Sequence, residues 1–230
     1  MSTDPQVIAN AVVSWLNYKN LTGLKGLFTE AAIGIPIAEL LSTKYGQEIE
    51  SERKHPVFDS AKGRPRQIDF VRVKRDKLTW YAAYECKFMR ISFEGIVSDL
   101  CRLLCLNQAK GIGKPEKYFI FAGKLGRDDE LLKCEINTGD GSRIPAFKDI
   151  LALGSCGKKG VDCKKSFRPI DLHPKQRQAF QTFARDYKVS LPSKIVTNLE
   201  GWCIHLEFGC AVWRVTAESG SRLLSHEELA

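Results

Sequence analysis

Long hydrophobic runs are missing from this 230-residue chain. No apolar stretch approaches the roughly 18 consecutive residues that indicate a membrane-spanning helix. Residues 1–5 also lack the basic start and the continuous apolar segment of a signal peptide. The sequence contains no internal repeat and no low-complexity segment. We therefore expect an ordinary globular, cytoplasmic protein that has no membrane partner.

Paired cysteine motifs are also missing, because none of the eight cysteines forms a C-x-x-C pair. Most of them lie inside apolar periodic segments, so we interpret them as reduced, buried small hydrophobic residues. Cys156, Cys163 and His173 fall in or near a Gly/Lys-rich stretch, but their spacing matches no common zinc tetrad and a fourth ligand is not evident. No Ser–His or Cys–His nucleophile pattern stands out either.

Negative charge is in the minority, with 27 Asp and Glu residues against 35 Lys and Arg residues and a formal net charge of +8. A positive excess favours an anionic partner, and nucleic acid is the commonest such partner inside cells. The residues predicted to contact nucleic acid are Arg64, Arg66, Lys158, Lys159, Lys164 and Lys165. The alternative for the four lysines is a basic loop that only faces water.

Two alternating apolar runs, residues 67–73 and 80–88, predict neighbouring β-strands. The alternation places Glu85 and Lys87 on one face of the second strand. A short charged turn joins the runs, so we expect an antiparallel hairpin in which Asp69 lies directly across from Glu85.

Two carboxylates that face each other across a hairpin repel unless a positive charge lies between them. Mg²⁺ binds to one or two carboxylates and keeps several waters, so it would relieve this repulsion. We predict a Mg²⁺ site formed by Asp69 and Glu85, with the carbonyl of Cys86 assisting and Mn²⁺ able to substitute. Lys87, one pleat along, would orient or deprotonate a metal-side water, or offset charge on a phosphoryl oxygen.

The segment GRPRQID at residues 63–69, followed sixteen residues later by Glu85-Cys86-Lys87, resembles the PD-(D/E)xK nuclease superfamily. The resemblance implies a restriction-endonuclease-like fold and a metal-dependent phosphodiesterase. It also implies that the two acids bind Mg²⁺ and that Lys87 positions the attacking water. The proline lies four residues before the aspartate rather than next to it.

The predicted order of elements from residue 29 to residue 123 is helix, three antiparallel strands, helix, strand, which matches the αβββαβ core of that superfamily. We expect an α/β protein with a mixed sheet, N-terminal helices, and a C-terminal helix plus β-hairpin. The expected organisation is an N-terminal helical extension (1–28), a nuclease-like core (29–135), and an extension of basic loop, helix and hairpin packed on the core (136–230). The last hairpin is expected to turn at Gly209-Cys210.

Two predicted helices carry further candidate residues. Thr29 caps a helix on which Glu30 shares a face with the apolar stripe, so we expect a buried acid there that completes the site. Glu39, on the opposite side of that helix, is the alternative, and Glu48 and Glu50 on the following edge strand are others. Ser92 caps a second helix, whose apolar stripe leaves Glu94, Asp99 and Arg102 facing outward.

The sequence therefore favours a metal-dependent nuclease that hydrolyses phosphodiester bonds, with DNA favoured over RNA as substrate. One alternative is a catalytically inactive nucleic-acid-binding module of the same fold. An enzyme of another kind or a protein-interaction domain is a further alternative. A homodimer is compatible with the sequence.

Overall fold

Four α-helices, three short 3-10 helices and eleven β-strands form the secondary structure of the described residues, which in this computed structural model are 4–24, 28–58, 66–88, 92–123, 135–137, 142–152 and 163–230. The helices are α1 (Asp4–Leu21), α2 (Glu30–Tyr45), α3 (Phe93–Cys105) and α4 (Pro174–Tyr187). The strands are β1 (Ile49–Lys54), β2 (Gln67–Val73), β3 (Trp80–Phe88), β4 (Glu116–Gly123), β5 (Glu135–Asn137), β6 (Arg143–Pro145), β7 (Lys164–Phe167), β8 (Leu191–Pro192), β9 (Ile195–His205), β10 (Phe208–Ala217) and β11 (Leu223–Leu224).

Seven of these strands form one mixed sheet in the order β1-β2-β3-β4-β10-β9-β7. Strand β3 runs parallel to β4, and the other neighbours in the sheet are antiparallel. A parallel pair needs a crossover connection, and α3 lies in the connection between β3 and β4. The expected mixed α/β class is therefore confirmed, and the C-terminal hairpin β9–β10 joins the same sheet as β1–β4.

Helices cover both faces of the sheet. On one face, α1 and α2 pack Leu16 and Ile37 against residues such as Tyr84 and Ile120. On the other face, α3 packs Leu100 against Phe119 and its neighbours, and α4 packs against α3. No helix among the described residues is long and apolar enough to cross a membrane.

The N-termini of α2 and α3 follow the predicted capping chemistry. The Thr29 side chain accepts a hydrogen bond from the backbone N–H of Ala32, and the Ser92 side chain accepts one from Gly95. These caps satisfy backbone donors that would otherwise lack a partner in the first turn. They therefore set where each helix begins, immediately after Thr29 and Ser92.

The register of the β2–β3 hairpin agrees with the prediction, because Phe70 pairs with Tyr84 and Val71 pairs with Ala83. The turn is held by Asp76, whose side chain accepts hydrogen bonds from two following backbone N–H groups. An irregularity between Arg72 and Val73 shifts the register by one residue. Consequently Trp80 packs in the α3 layer, whereas Tyr84 packs in the α1/α2 layer.

Two expectations for the C-terminal third are wrong. The β9–β10 hairpin turns at Leu206 and Glu207 rather than at Gly209-Cys210, because the ladder already begins at the Phe208–His205 pair. Leu206 has a φ of 56°, a left-handed conformation that closes this tight turn. Lys164 and Lys165 belong to strand β7, which pairs with β9 at the sheet edge, and not to a loop.

Substitution of two glycines in the α1/α2 layer should change the free energy of unfolding in opposite directions. A Cβ atom on Gly201 of β9 would lie 2.2 Å from the Pro5 carbonyl oxygen of α1, whereas one on Gly34 of α2 would lie 3.5 Å from the Phe70 ring. We expect Gly201→Ala to lower the free energy of unfolding by about 1–3 kcal/mol, because two backbones must separate. We expect Gly34→Ala to raise it by about 0.5–1 kcal/mol, because alanine favours the helix.

Urea unfolding of both variants at pH 7 measures this difference. Equal changes of the same sign would contradict the close α1–β9 contact.

Candidate active site

Asp69 lies near the start of β2, where its side chain replaces a ladder contact. The regular pairing with β3 stops at Phe70 and Tyr84. One position further, Oδ2 of Asp69 accepts a hydrogen bond of 2.7 Å from the backbone N–H of Cys86. This bond places Asp69 beside Cys86, which Glu85 and Lys87 flank in β3.

Asp69 lines a cavity of about 440 Å³ between α2 and the first strands of the sheet. The walls include Glu30 and Gly34 from α2 and Glu52 from β1. Glu52 lies on the ladder between the pairs Ser51–Phe70 and Arg53–Ile68, and its φ is 51°. Glutamate rarely adopts this left-handed conformation, so the edge strand is irregular beside Asp69.

Glu85 is turned toward α3 and is only 1% exposed. Arg102 of α3 donates from Nε to one carboxylate oxygen of Glu85 at 2.9 Å and from a terminal nitrogen to the other at 3.1 Å. The same terminal nitrogen contacts Asp99 one turn earlier on α3. A buried fork of this kind uses both carboxylate oxygens and is among the stronger ion pairs in proteins.

The prediction that Asp99 and Arg102 face outward is therefore wrong. Asp99 is 1% exposed, and the Arg102 side chain is 13% exposed. The cause is that α3 lies over the charged end of β3, so one edge of the helix meets Glu85 and Lys87 instead of solvent. Sequence alone offered one signal: Asp99 is one helical turn before Leu103, about 40° from it around the helix, at the edge of the apolar stripe.

Lys87 lies between the two helices that cover opposite faces of the sheet. Its Nζ donates to Oε1 of Glu30 at 2.8 Å and lies 3.4 Å from Oδ2 of Asp99. With the contacts above, the charged side chains form a continuous series of alternating sign. We call Glu85, Arg102, Asp99, Lys87 and Glu30, taken in this order, the ion-pair chain.

Glu30 reaches the site in a different way from the one expected. Its side chain is 48% exposed, so the prediction of a buried acid is wrong. Glu30 is the first residue of α2, and from there its carboxylate extends past the helix end to Lys87. Glu39, the alternative, is exposed. Glu48 pairs with Arg72 instead, and Glu50 pairs with Arg53 of β1 and with Lys77 in the β2–β3 turn.

Burial governs the proton affinities at this site. It raises the pKa of Asp69, although the Cys86 N–H opposes the rise, and it raises the pKa of Glu85 against the opposing Arg102 charge. Burial likewise raises the pKa of Asp99 to about 6. For Lys87, burial lowers the pKa, but the Asp99 and Glu30 carboxylates outweigh it and the net shift is upward. Lys87 is therefore an ammonium ion at neutral pH.

The charges at this site do not cancel. The ion-pair chain and Asp69 together hold four carboxylates and two cationic side chains, which leaves two negative charges when all are ionised. Among the described residues, the second oxygens of Asp69 and Glu30 have no hydrogen-bond partner and are available beside the cavity. One divalent cation would balance the excess charge.

Some of the candidate ligands are free to bind a metal ion and others are not. Asp69 and Glu30 supply the hard oxygen atoms and the small ligand number that Mg²⁺ accepts. Glu85 does not fit in this arrangement, because Arg102 uses both of its oxygens. Cys86 contributes its backbone N–H to Asp69, and its thiol is buried. No group of three or more His, Cys, Asp or Glu side chains in the described part of the chain is arranged to hold a metal ion.

No protein-family model, curated protein or solved structure matches this chain. The resemblance to a nuclease superfamily therefore rests on the motif residues alone.

Three of the six predicted nucleic-acid contacts, Arg66, Lys164 and Lys165, lie in the part of the chain that the structure describes. Arg66 precedes β2, is exposed, and places its guanidinium 5.5 Å from the centre of the Tyr187 ring of α4. Lys164 and Lys165 lie on edge strand β7, four strands from β3 and thus roughly 19 Å away across the sheet. Arg64, Lys158 and Lys159 lie outside the described residues, as does Cys156 of the zinc alternative.

His55, which sequence analysis did not single out, supports the backbone of Arg102. It is 1% exposed, stacks on Phe58 at 4.0 Å, and bonds through Nε2 to the Arg102 carbonyl oxygen at 2.9 Å. Its Nδ1 accepts the backbone N–H of Val57, so Nε2 carries the proton. Burial lowers the pKa of His55 from 6.5 to about 4, and the neutral ring is the form that fits.

We expect this histidine to make stability depend on pH between about 6.5 and 4. In that window the unfolded chain binds a proton at His55 and the folded chain does not, so the free energy of unfolding falls as pH falls, by about 3 kcal/mol. Urea unfolding of the wild type and His55→Gln at pH 7 and pH 4.5 measures the contribution as a difference of slopes. The exposed His205 provides the control His205→Gln. An acid loss as steep in His55→Gln as in the wild type would contradict this assignment.

Proposed function

We propose that this protein is a metal-dependent nuclease that hydrolyses phosphodiester bonds of nucleic acid, with DNA favoured over RNA. The observation that supports this most is the excess of two negative charges that the ion-pair chain and Asp69 hold when all six groups are ionised, beside a cavity lined by Asp69 and Glu30. Nuclease chemistry requires this combination, because acids bind a hard cation and a fixed ammonium group offsets phosphate charge.

The order of elements supports the finer fold assignment, a restriction-endonuclease-like core. Helix α2, antiparallel strands β1, β2 and β3, helix α3, and strand β4 parallel to β3 follow one another in the order that the resemblance implies for an αβββαβ core. In this arrangement the aspartate comes from β2, the E-x-K tripeptide from β3, and the additional acid from the helix that precedes β1. Asp69, Glu85 with Lys87, and Glu30 occupy these places.

The side chains divide the work as follows. Asp69 and Glu30 would hold Mg²⁺, or Mn²⁺ in its place, through their free oxygens. When bound, the ion supplies a water of lowered pKa and a counter-charge for phosphate oxygens. Lys87 keeps its proton and donates hydrogen bonds to a phosphoryl oxygen, rather than acting as a base, because Glu30 and Asp99 stabilise its charged form. The Cys86 N–H fixes the orientation of the Asp69 carboxylate.

The basic side chains would hold the nucleic-acid backbone and would supply little sequence information. Arg66, three residues before Asp69, is the nearest in sequence to the site, and the net charge of +8 favours the polyanion as a whole. Binding that depends on such contacts weakens steeply as salt increases.

A second function is favoured by one observation, the closed fork between Arg102 and Glu85. If this fork never opens, the chain lacks one expected metal ligand. It would then be a nucleic-acid-binding module of the same fold without catalytic activity.

Cleavage assays test the proposal. Plasmid, linear and single-stranded DNA and RNA are incubated with the protein in Mg²⁺, Mn²⁺ or a chelator. We expect cleavage with metal only, at least a 100-fold lower rate in Asp69→Asn, and a similar loss in Lys87→Met, which keeps the length of the side chain without its charge. Glu39→Gln on α2 is the matched control and should cleave at the wild-type rate.

Cleavage that survives in both Asp69→Asn and Lys87→Met would refute the site. Binding without cleavage in every metal would favour the inactive module.

A further inference from the structure

Arg102 pairs with the carboxylate of Glu85, the residue that the motif predicts as a metal ligand. Its Nε and a terminal nitrogen lie 2.9 Å and 3.1 Å from the two oxygens of Glu85, and that carboxylate is 1% exposed. A guanidinium fork matches a carboxylate in the way a bound cation would, with positive charge centred in front of both oxygens. Glu85 therefore already has a resident counter-ion.

A second carboxylate, that of Asp99, can pair with Arg102 if Glu85 leaves. Asp99 lies three residues before Arg102 on α3, contacts one of its terminal nitrogens, and is itself buried. Its other oxygen, Oδ2, has no hydrogen-bond partner among the described groups and lies 3.4 Å from Lys87 Nζ. If Glu85 leaves the fork, Arg102 keeps a partner within the same helix, so its charge is not left alone in a buried place.

Glu85 is also close to the proposed ion site. The Asp69 carboxylate bonds to the backbone N–H of Cys86, the residue next to Glu85. Besides burial, the nearby Asp69 charge raises the pKa of Glu85, so the two carboxylates lie near each other. Regular β2–β3 pairing stops at Phe70 and Tyr84, and the Glu85 carboxylate would turn toward the ion through the opening beside Asp69.

We propose that Arg102 is a positioning residue that holds Glu85 until a divalent cation displaces it, with Asp99 accepting Arg102 after the exchange. This inference rests on the proposed metal-dependent function and adds a step to it. Arg102 competes with the cation for Glu85, and Asp99 favours the exchanged state. Arg102 therefore lowers the metal affinity of the free protein, and Asp99 raises it.

Direct Mn²⁺ titration without nucleic acid, followed by electron paramagnetic resonance, tests the inference. We expect Arg102→Met to bind Mn²⁺ at least fivefold more tightly than the wild type, because Glu85 has lost its competitor. We expect Asp99→Asn to bind at least threefold more weakly, because Arg102 has no second carboxylate. Arg185→Met, which removes an exposed arginine of α4 whose ion pair among the described residues is with its neighbour Asp186, is the control and should leave the affinity unchanged.

A purely structural role for Arg102 predicts a different pattern, in which Arg102→Met and Asp99→Asn both weaken Mn²⁺ binding or leave it unchanged. Either result for a variant that unfolds cooperatively would overturn the inference. Arg102→Lys keeps the charge but loses the fork, so it should show a smaller gain in affinity than Arg102→Met.

A wild-type measurement decides the matter if the Arg102 variants fail to fold. The Arg102 Nε–H resonance should lose its protection from exchange when Mg²⁺ is added, and retained protection at saturating Mg²⁺ would overturn the exchange. The proposed function fails separately: it fails if the wild type binds no Mn²⁺, or if Asp69→Asn binds it equally well.

Discussion

The fork that Arg102 makes with Glu85 is the interaction on which the rest of this site depends. A carboxylate that is 1% exposed in the middle of a sheet needs a positive partner, and α3 supplies it. Arg102 then requires Asp99 to balance its charge, Asp99 contacts Lys87, and Lys87 extends to Glu30. One buried charge on β3 thus fixes the position of charged residues on two helices that lie on opposite faces of the sheet.

The topology explains why these residues can meet. Because β3 and β4 are parallel, the chain must cross over between them, and α3 brings Asp99 and Arg102 across the end of β3. The start of α2, capped by Thr29, places Glu30 beside the same strand end from the other face. The unbalanced negative charge of the ion-pair chain and Asp69 therefore lies beside the cavity next to Asp69. Such excess charge beside a cavity is typical of sites that bind ions or charged substrates.

Local patterns predicted most of the fold and part of the site. The short charged turn predicted the β2–β3 register up to Arg72, and capping residues predicted the starts of α2 and α3, because each signal lies next to the element that it sets. The burial of Asp99 and Arg102 and the exposure of Glu30 depend on where whole helices lie on the sheet, so helical periodicity could not predict them. The shift at Arg72 and the turn at Leu206 are likewise backbone irregularities without a clear residue signal. Lys164 lies in a strand because its segment pairs with β9, a long-range contact that the local sequence does not indicate.

The most direct measurement is anomalous diffraction from crystals of the wild-type protein soaked in Mn²⁺ without nucleic acid. The account predicts an anomalous peak in the cavity between α2 and β2, within coordination distance of the Asp69 carboxylate and on the side that Glu30 faces. Density on the β7 edge alone would contradict it. So would an empty cavity at Mn²⁺ concentrations that support cleavage of nucleic acid.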